Sequence, residues 1–127
     1  MFKTLILSIT LLISICPPGP AMAEIGTASW YDYQSCIKEG SAGICANGRP
    51  MYEYDNRYVC ASWFYPLGSM VRITSGKASI TCEVVDRGPA RRLIKKGRII
   101  DLNRKAFQAL SNGKLDKGIL QVEVTKL

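Results

Sequence analysis

The chain of 127 residues contains no histidine, and that one absence removes much of enzyme chemistry. Ser-His and Cys-His nucleophiles need an imidazole as their general base, and the mixed cysteine-histidine zinc sites need it as a ligand. No Cys-x-x-Cys pair occurs either, so the cysteines lack metal-ligand spacing and no metal or other cofactor is expected. There is no low-complexity tract, and the long apolar run near the N-terminus is too short to span a bilayer. Acidic residues are scarce, ten against seventeen basic, for a net charge of +7 at pH 7. That balance points to a partner of negative charge.

The first 23 residues read as an export leader. Lys3 is the charged start, Leu5 to Ile15 the apolar stretch, and Ala21-Met22-Ala23 a small-x-small cleavage site. Pro17-Pro18-Gly19-Pro20 would end any helix there. Cys16 follows the branched Ile15, where a lipid-attachment signal carries a small residue, so Cys16 is expected to leave with the leader. The product is then a secreted or periplasmic monomer without a stable membrane anchor, spanning residues 24–127. Loss of Lys3 leaves it sixteen basic and ten acidic residues, a net charge of +6. Its length suits one domain with a modest core.

Cys36, Cys45, Cys60 and Cys82 remain. An even number in a small exported chain reads as two disulfides, each stabilising by about 2–4 kcal/mol. Three pairings are open; Cys36 with Cys45 and Cys60 with Cys82 is the working choice.

Most of the chain has strand chemistry. Ile25 to Tyr31, Tyr58 to Phe64, Met70 to Thr74, Ala78 to Val85, Arg98 to Ile100 and Ile119 to Thr125 are short and rich in β-branched or aromatic residues. Ser75-Gly76-Lys77 makes a hairpin of the third and fourth. Asp32 to Pro50 is loop-like, rich in Gly, Ser and Asn. One helix is expected over Asn103 to Leu110, where Leu102, Ala106, Ala109 and Leu110 share a face. Asp101 or Asn103 would be its N-cap, and Asn112-Gly113 its stop. Six short strands and one short helix predict a mainly β fold, a compact barrel.

Without imidazole, acid or base work falls to carboxylates. Asp86 and Asp101 both follow apolar strand residues, Val84-Val85 and Ile99-Ile100, and lie at one end of a barrel if their strands are neighbours. Arg87 beside Asp86 can order the loop as its ion partner. Burial would raise the pKa of Asp101 and a helix N-terminus would lower it, which leaves the sign open. Eight basic residues lie between Arg87 and Lys105, with Asp101 the lone acid; they form either a solvated loop or a surface for acidic glycans and anionic wall polymers. In an exported chain nucleic acid is not expected as the partner. Among the aromatics, Tyr31 and Trp63 stand at strand ends and are first choice for stacking on sugars.

The stretches GTASWYD, CANGRPMY, CASWFYPLGSMVRIT and EVVDRGPARRLIKKGRIIDLNRKAFQAL resemble, in order and spacing, the double-psi β-barrel of the rare lipoprotein A (RlpA-like) family, and more distantly that of expansins and barwin-like proteins. The resemblance runs from Gly26 to the end of the chain, and VVDRGP with GRIIDLNRKAF is its most specific part. It implies a six-stranded barrel whose Asp86 and Asp101 strands border a glycan groove. It implies lytic transglycosylase activity on peptidoglycan, cleaving between N-acetylmuramic acid and N-acetylglucosamine. Asp86 is then the catalytic candidate and Asp101 its acidic companion, with Asn47 of the CANGRP loop and Arg87 beside the glycan. Ser62 stands where active members carry a histidine. A hydroxyl there can hydrogen-bond a sugar or Asp86 but cannot shuttle a proton at neutral pH. A non-catalytic wall-glycan module is the alternative, and a secreted defence or effector domain a third.

Overall fold

A computed structural model describes residues 23–127; the expected leader, Ala23 apart, lies outside them. Six strands, β1 (Glu24–Tyr31), β2 (Val59–Ala61), β3 (Met70–Ser75), β4 (Ala78–Asp86), β5 (Arg98–Asn103) and β6 (Leu120–Lys126), close into a barrel in the order β1-β5-β2-β4-β3-β6. The pairs β1/β5 and β2/β4 are parallel and the other pairings antiparallel. This is the double-psi arrangement, and closure leaves no sheet edge exposed.

Alternation along each strand fills the interior. Val71 and Ile73 of β3 and Leu120, Val122 and Val124 of β6 are buried, and their neighbours in sequence mostly face water. They meet Ala28, Cys60, Cys82, Val84, Ile100 and Leu102 in one core. The expected hairpin is present, with Ser75 opposite Ala78.

Among the described residues three short α-helices form where the sequence suggested one: α1 (Tyr33–Lys38), α2 (Arg91–Ile94) and α3 (Arg104–Ser111). The unexpected α1 starts at a capping box, in which Asp32 accepts from the Ser35 backbone N–H while the Ser35 hydroxyl accepts from that of Asp32. Serine in place of the usual Glu or Gln hides that box from a sequence reading. The expected helix, α3, packs on the core through Ala106, Phe107 and Leu110. Ala109 of the expected face is only half-buried, and the fully buried Phe107 takes the central place. The helix ends at Asn112, whose φ of 56° is left-handed.

A second apolar cluster lies outside the barrel wall, where Cys45, Met51, Tyr54, Val59 and Val85 pack beneath Tyr31 and Tyr33. One amide fastens this layer to the barrel. Asn103 is buried, and its Oδ1 accepts from the backbone N–H groups of Ala106 and Val59 while its Nδ2 donates to the carbonyls of Tyr54 and Arg57. All four valences of the side chain are used. Asn103, not Asp101, is therefore the N-cap of α3.

The expected disulfides are not present: Cys36, Cys45, Cys60 and Cys82 are free thiols. Cys60 and Cys82 are fully buried within the barrel, where cysteine packs as a small hydrophobe. The Cys45 thiol points to the Met51 sulfur at 3.6 Å, and burial pushes its pKa up to about 12. Such a thiol is unreactive at neutral pH.

Replacing Asn103 tests the clamp. Asn103→Asp keeps the cap acceptor but turns a carboxylate toward two carbonyls, and is expected to lower stability in urea denaturation at pH 7 by about 1–3 kcal/mol. Asn103→Ala loses all four bonds, and its urea midpoint is expected to fall at least as far.

Candidate functional site

β4 and β5, which carry the two aspartates, are not side by side but flank β2. Ala61 is the register partner of Asp86 on one side and of Asp101 on the other. With strands spaced about 4.8 Å apart, the two backbones stand roughly 10 Å apart on the barrel wall. A register slip makes this possible: Cys60 is opposite Val84, yet Ala61 is opposite Asp86. Val85 is the extra residue and turns into the outer cluster. Strict alternation would have sent Asp86 inward with Val84; the bulge brings it out beside Asp101.

Asp101 is half-buried. The Ser29 hydroxyl, its register neighbour on β1, donates a short hydrogen bond to Oδ1. Gly88 of the DRGP turn closes over Oδ2, and a Cβ there would lie 3.2 Å from that oxygen and 3.2 Å from the Ala61 methyl. Burial raises the Asp101 pKa above its ordinary 3.8, outweighing the lowering by the Ser29 hydrogen bond and the Arg98 charge; the Asp86 and Glu39 charges add to the rise. The sign left open by the sequence is upward, because burial is the largest influence on the carboxyl.

Asp86 has a different setting. Its Oδ1 accepts the backbone N–H groups of Ala46 and Arg87, both at 2.8 Å. The Arg87 guanidinium does not pair with it; it turns to the carbonyls of Ser62 at 2.8 Å and Tyr65 at 2.6 Å. Arg87 thus clamps the loop after β2, and that role, rather than glycan contact, is what its position shows.

Ser62 is fully buried. Its backbone N–H donates to the Asp86 carbonyl and its Oγ accepts from the Phe64 N–H at 3.0 Å. The hydroxyl serves the turn as an acceptor, and no hydrogen bond joins it to the Asp86 carboxylate. Asn47 is also engaged in its loop: its Nδ2 donates to the Tyr54 hydroxyl and its Oδ1 accepts from the Arg49 N–H. It shapes the loop that carries Ala46.

Of the two aromatics, Trp63 is 38% exposed, with Nε1 bonded to the Pro89 carbonyl and the Arg91 guanidinium 4.2 Å over its ring. That cation–π contact joins α2 to the loop after β2. Arg91, Arg92, Lys95 and Lys96 are exposed there, so the basic segment is a solvated surface beside the aspartates. Tyr31 is half-buried; burial, with the charge of Asp86 next, holds its hydroxyl pKa well above 10.0. Sequence reasoning missed Ser29, Gly88 and Ala46. Of these only Ser29 left a signal, since it shares a strand face with Tyr31 in GTASWY.

The site therefore joins a partly desolvated carboxyl, a second carboxylate fixed by two backbone donors, and flanking aromatic and basic groups. Such a pair can donate a proton on one side and stabilise positive charge on the other.

No curated protein matches the chain. Among solved structures, apo expansin of Clavibacter michiganensis superposes with a TM-score of 0.60 at 22% identity, over 84% of this chain and 50% of that one. A mutant of the same expansin in complex with cellohexaose gives 0.60 at 19% over the same shares. The Streptomyces papain inhibitor gives 0.61 at 20%, over 86% of this chain and 97% of that one. The chain thus spans half the length of the expansins, and at these identities the likeness speaks for the fold. Residues 23–124 match the DPBB_1 family, described as lytic transglycolase, and with nearly the whole described structure so covered the chain belongs to that family.

Proposed function

We propose that this protein is exported, binds a cell-wall glycan across Asp86 and Asp101, and cleaves peptidoglycan as a lytic transglycosylase, with Asp101 as acid and then base. The observation that carries the reading is the Asp101 carboxyl, buried against Gly88 and Ser29 with its pKa raised, facing Asp86 across β2. Family membership and the cellohexaose bound by a related barrel support a glycan as the ligand.

The chemistry follows from the two settings. Protonated Asp101 gives its proton to the glycosidic oxygen as the bond from the muramyl anomeric carbon breaks. The positive charge that develops on the sugar is stabilised by Asp86, fixed by its two backbone N–H bonds. The muramyl 6-hydroxyl then attacks the anomeric carbon and passes its proton to the Asp101 carboxylate. An anhydro ring forms, no water is consumed, and Asp101 is protonated again. This reading moves the principal role from Asp86 to Asp101, because burial of the carboxyl is what suits a proton donor. The exposed cations of α2 would hold anionic wall polymers beside the groove.

One observation favours a second reading, a non-catalytic glycan-binding module. The Ser62 hydroxyl is committed to Phe64, so the position where active relatives carry histidine adds no proton carrier.

Purified peptidoglycan incubated with the protein is expected to yield anhydromuramic ends by mass spectrometry. Asp101→Asn should lower the yield by at least about 100-fold, the scale of a general acid's contribution. Wall pull-down without products would establish the binding module, and products undiminished in Asp101→Asn would remove Asp101 from the mechanism.

The pH dependence has a definite sign. Cleavage needs protonated Asp101, so kcat/KM should fall as pH rises through its raised pKa. Ser29→Ala removes a pKa-lowering bond and should move that limb to higher pH.

Stability gives an independent check. The folded pKa of Asp101 lies above the unfolded one, so its contribution is full below the unfolded value and is lost as pH rises through the folded value. Asp101→Asn cannot ionise. Its Tm relative to the native protein should therefore rise across that window and level off above it.

A further inference from the structure

The loop after β2 and the segment that runs from the DRGP turn through α2 meet in one surface. Arg87 donates to the carbonyls of Ser62 and Tyr65, Trp63 Nε1 donates to the Pro89 carbonyl, and the Arg91 guanidinium covers the Trp63 ring. These contacts fix what the two segments show to the outside.

That face has two components. Within five residues of one loop, Trp63, Phe64 and Leu67 are 38%, 45% and 38% exposed. Beside them, Arg91, Arg92, Lys95 and Lys96 are exposed and in no ion pair among the described residues. Neither residues 62–69 nor residues 87–97 include an aspartate or glutamate, so the positive charge is uncompensated within both segments.

The cations alone would suit any polyanion. A hydrated polymer, however, leaves Phe64 and Leu67 in water. A bilayer of anionic lipid satisfies both components, because headgroup phosphates pair with Arg and Lys while aromatic and aliphatic side chains enter the boundary with the acyl chains. No helix among the described residues is long and apolar enough to cross a membrane, so the contact is peripheral.

We propose that this face docks reversibly on a membrane rich in anionic lipid, with Phe64 and Leu67 entering the headgroup boundary and the cations of α2 lying on the phosphates. The inference does not rest on the glycan reading. It adds a place of work, the wall layer beside the membrane, where anionic wall polymers compete with the bilayer for the same cations.

The test uses residues 24–127, which hold the whole barrel and its core, so that the apolar Leu5 to Ile15 stretch adds no lipid affinity of its own. Co-sedimentation is expected to show binding at least about tenfold tighter to phosphatidylcholine vesicles that contain phosphatidylglycerol than to phosphatidylcholine alone, and the advantage should shrink with added salt. Trp63 emission should move to shorter wavelength and be quenched by brominated acyl chains, whereas Trp30, packed on the core, should be unaffected. Lys95→Glu combined with Lys96→Glu should abolish the advantage. Phe64→Ser, and separately Leu67→Ser, should each weaken binding at least about fivefold with an unchanged circular dichroism spectrum. Equal binding to both vesicle types, or none to either, would overturn the inference. So would soluble polyphosphate that binds as tightly as the anionic vesicles, with no Trp63 shift on lipid and no effect of Phe64→Ser or Leu67→Ser; that result would assign the face to wall polymers.

Discussion

The structure depends on the side-chain amide of Asn103 more than on any other polar group. It ends β5, caps α3, and holds the carbonyls of Tyr54 and Arg57 and the N–H of Val59. A buried amide is costly unless every donor and acceptor is matched, and here the matches come from three separate segments. The helix that packs on the core, the turn under the outer cluster and the start of β2 are thereby fixed relative to each other. Since β2 separates the two aspartates, the geometry of the site descends from this clamp. Asn103, not Asp101, takes the cap, and at Asp101 burial outweighs the lowering by the Ser29 hydrogen bond and the Arg98 charge.

A second constraint acts on Asp86. Side chains alternate along a strand, so a regular β4 would have carried Asp86 into the barrel with Cys82 and Val84. The single-residue slip against β2 prevents this. Val85 goes to the outer cluster, and Asp86 meets the Ala46 and Arg87 N–H groups. The two carboxyls therefore share one surface in unlike surroundings, one drawn into apolar contact and one held by backbone donors. That difference gives two residues of the same type unlike surroundings, one buried beside Ser29 and Gly88 and one bonded to two backbone N–H groups.

Much of the fold was legible because it rests on local pattern. Alternation in MVRIT and ILQVEVT marked β3 and β6, and Ser75-Gly76-Lys77 marked their hairpin neighbour. The stretches VVDRGP and GRIIDLN marked both aspartates. Contacts that depend on how the loops fold could not be read from pattern. Arg87 looked like an ion partner of Asp86 and is a clamp on two carbonyls. Ser62 and Asn47 looked available to a ligand and are tied to Phe64 and Tyr54. Phe107 outranks Ala109 because the core, not helical spacing, decides which side of α3 is buried. The cysteines were counted as bridges because the count was even, but two of them are packing atoms inside the barrel.

By itself the sequence determined the strand periodicity, the turn positions, the basic balance and the candidacy of Asp86 and Asp101, all of which depend on residues near one another in the chain. Only the tertiary structure decided that β2 runs between the aspartates, that a bulge turns Asp86 outward, that Ser29 and Gly88 enclose Asp101, and that its pKa rises. Each of those outcomes depends on segments many residues apart, Ser29 and Asp101 among them. Burial and register between such segments exist only once the barrel has closed.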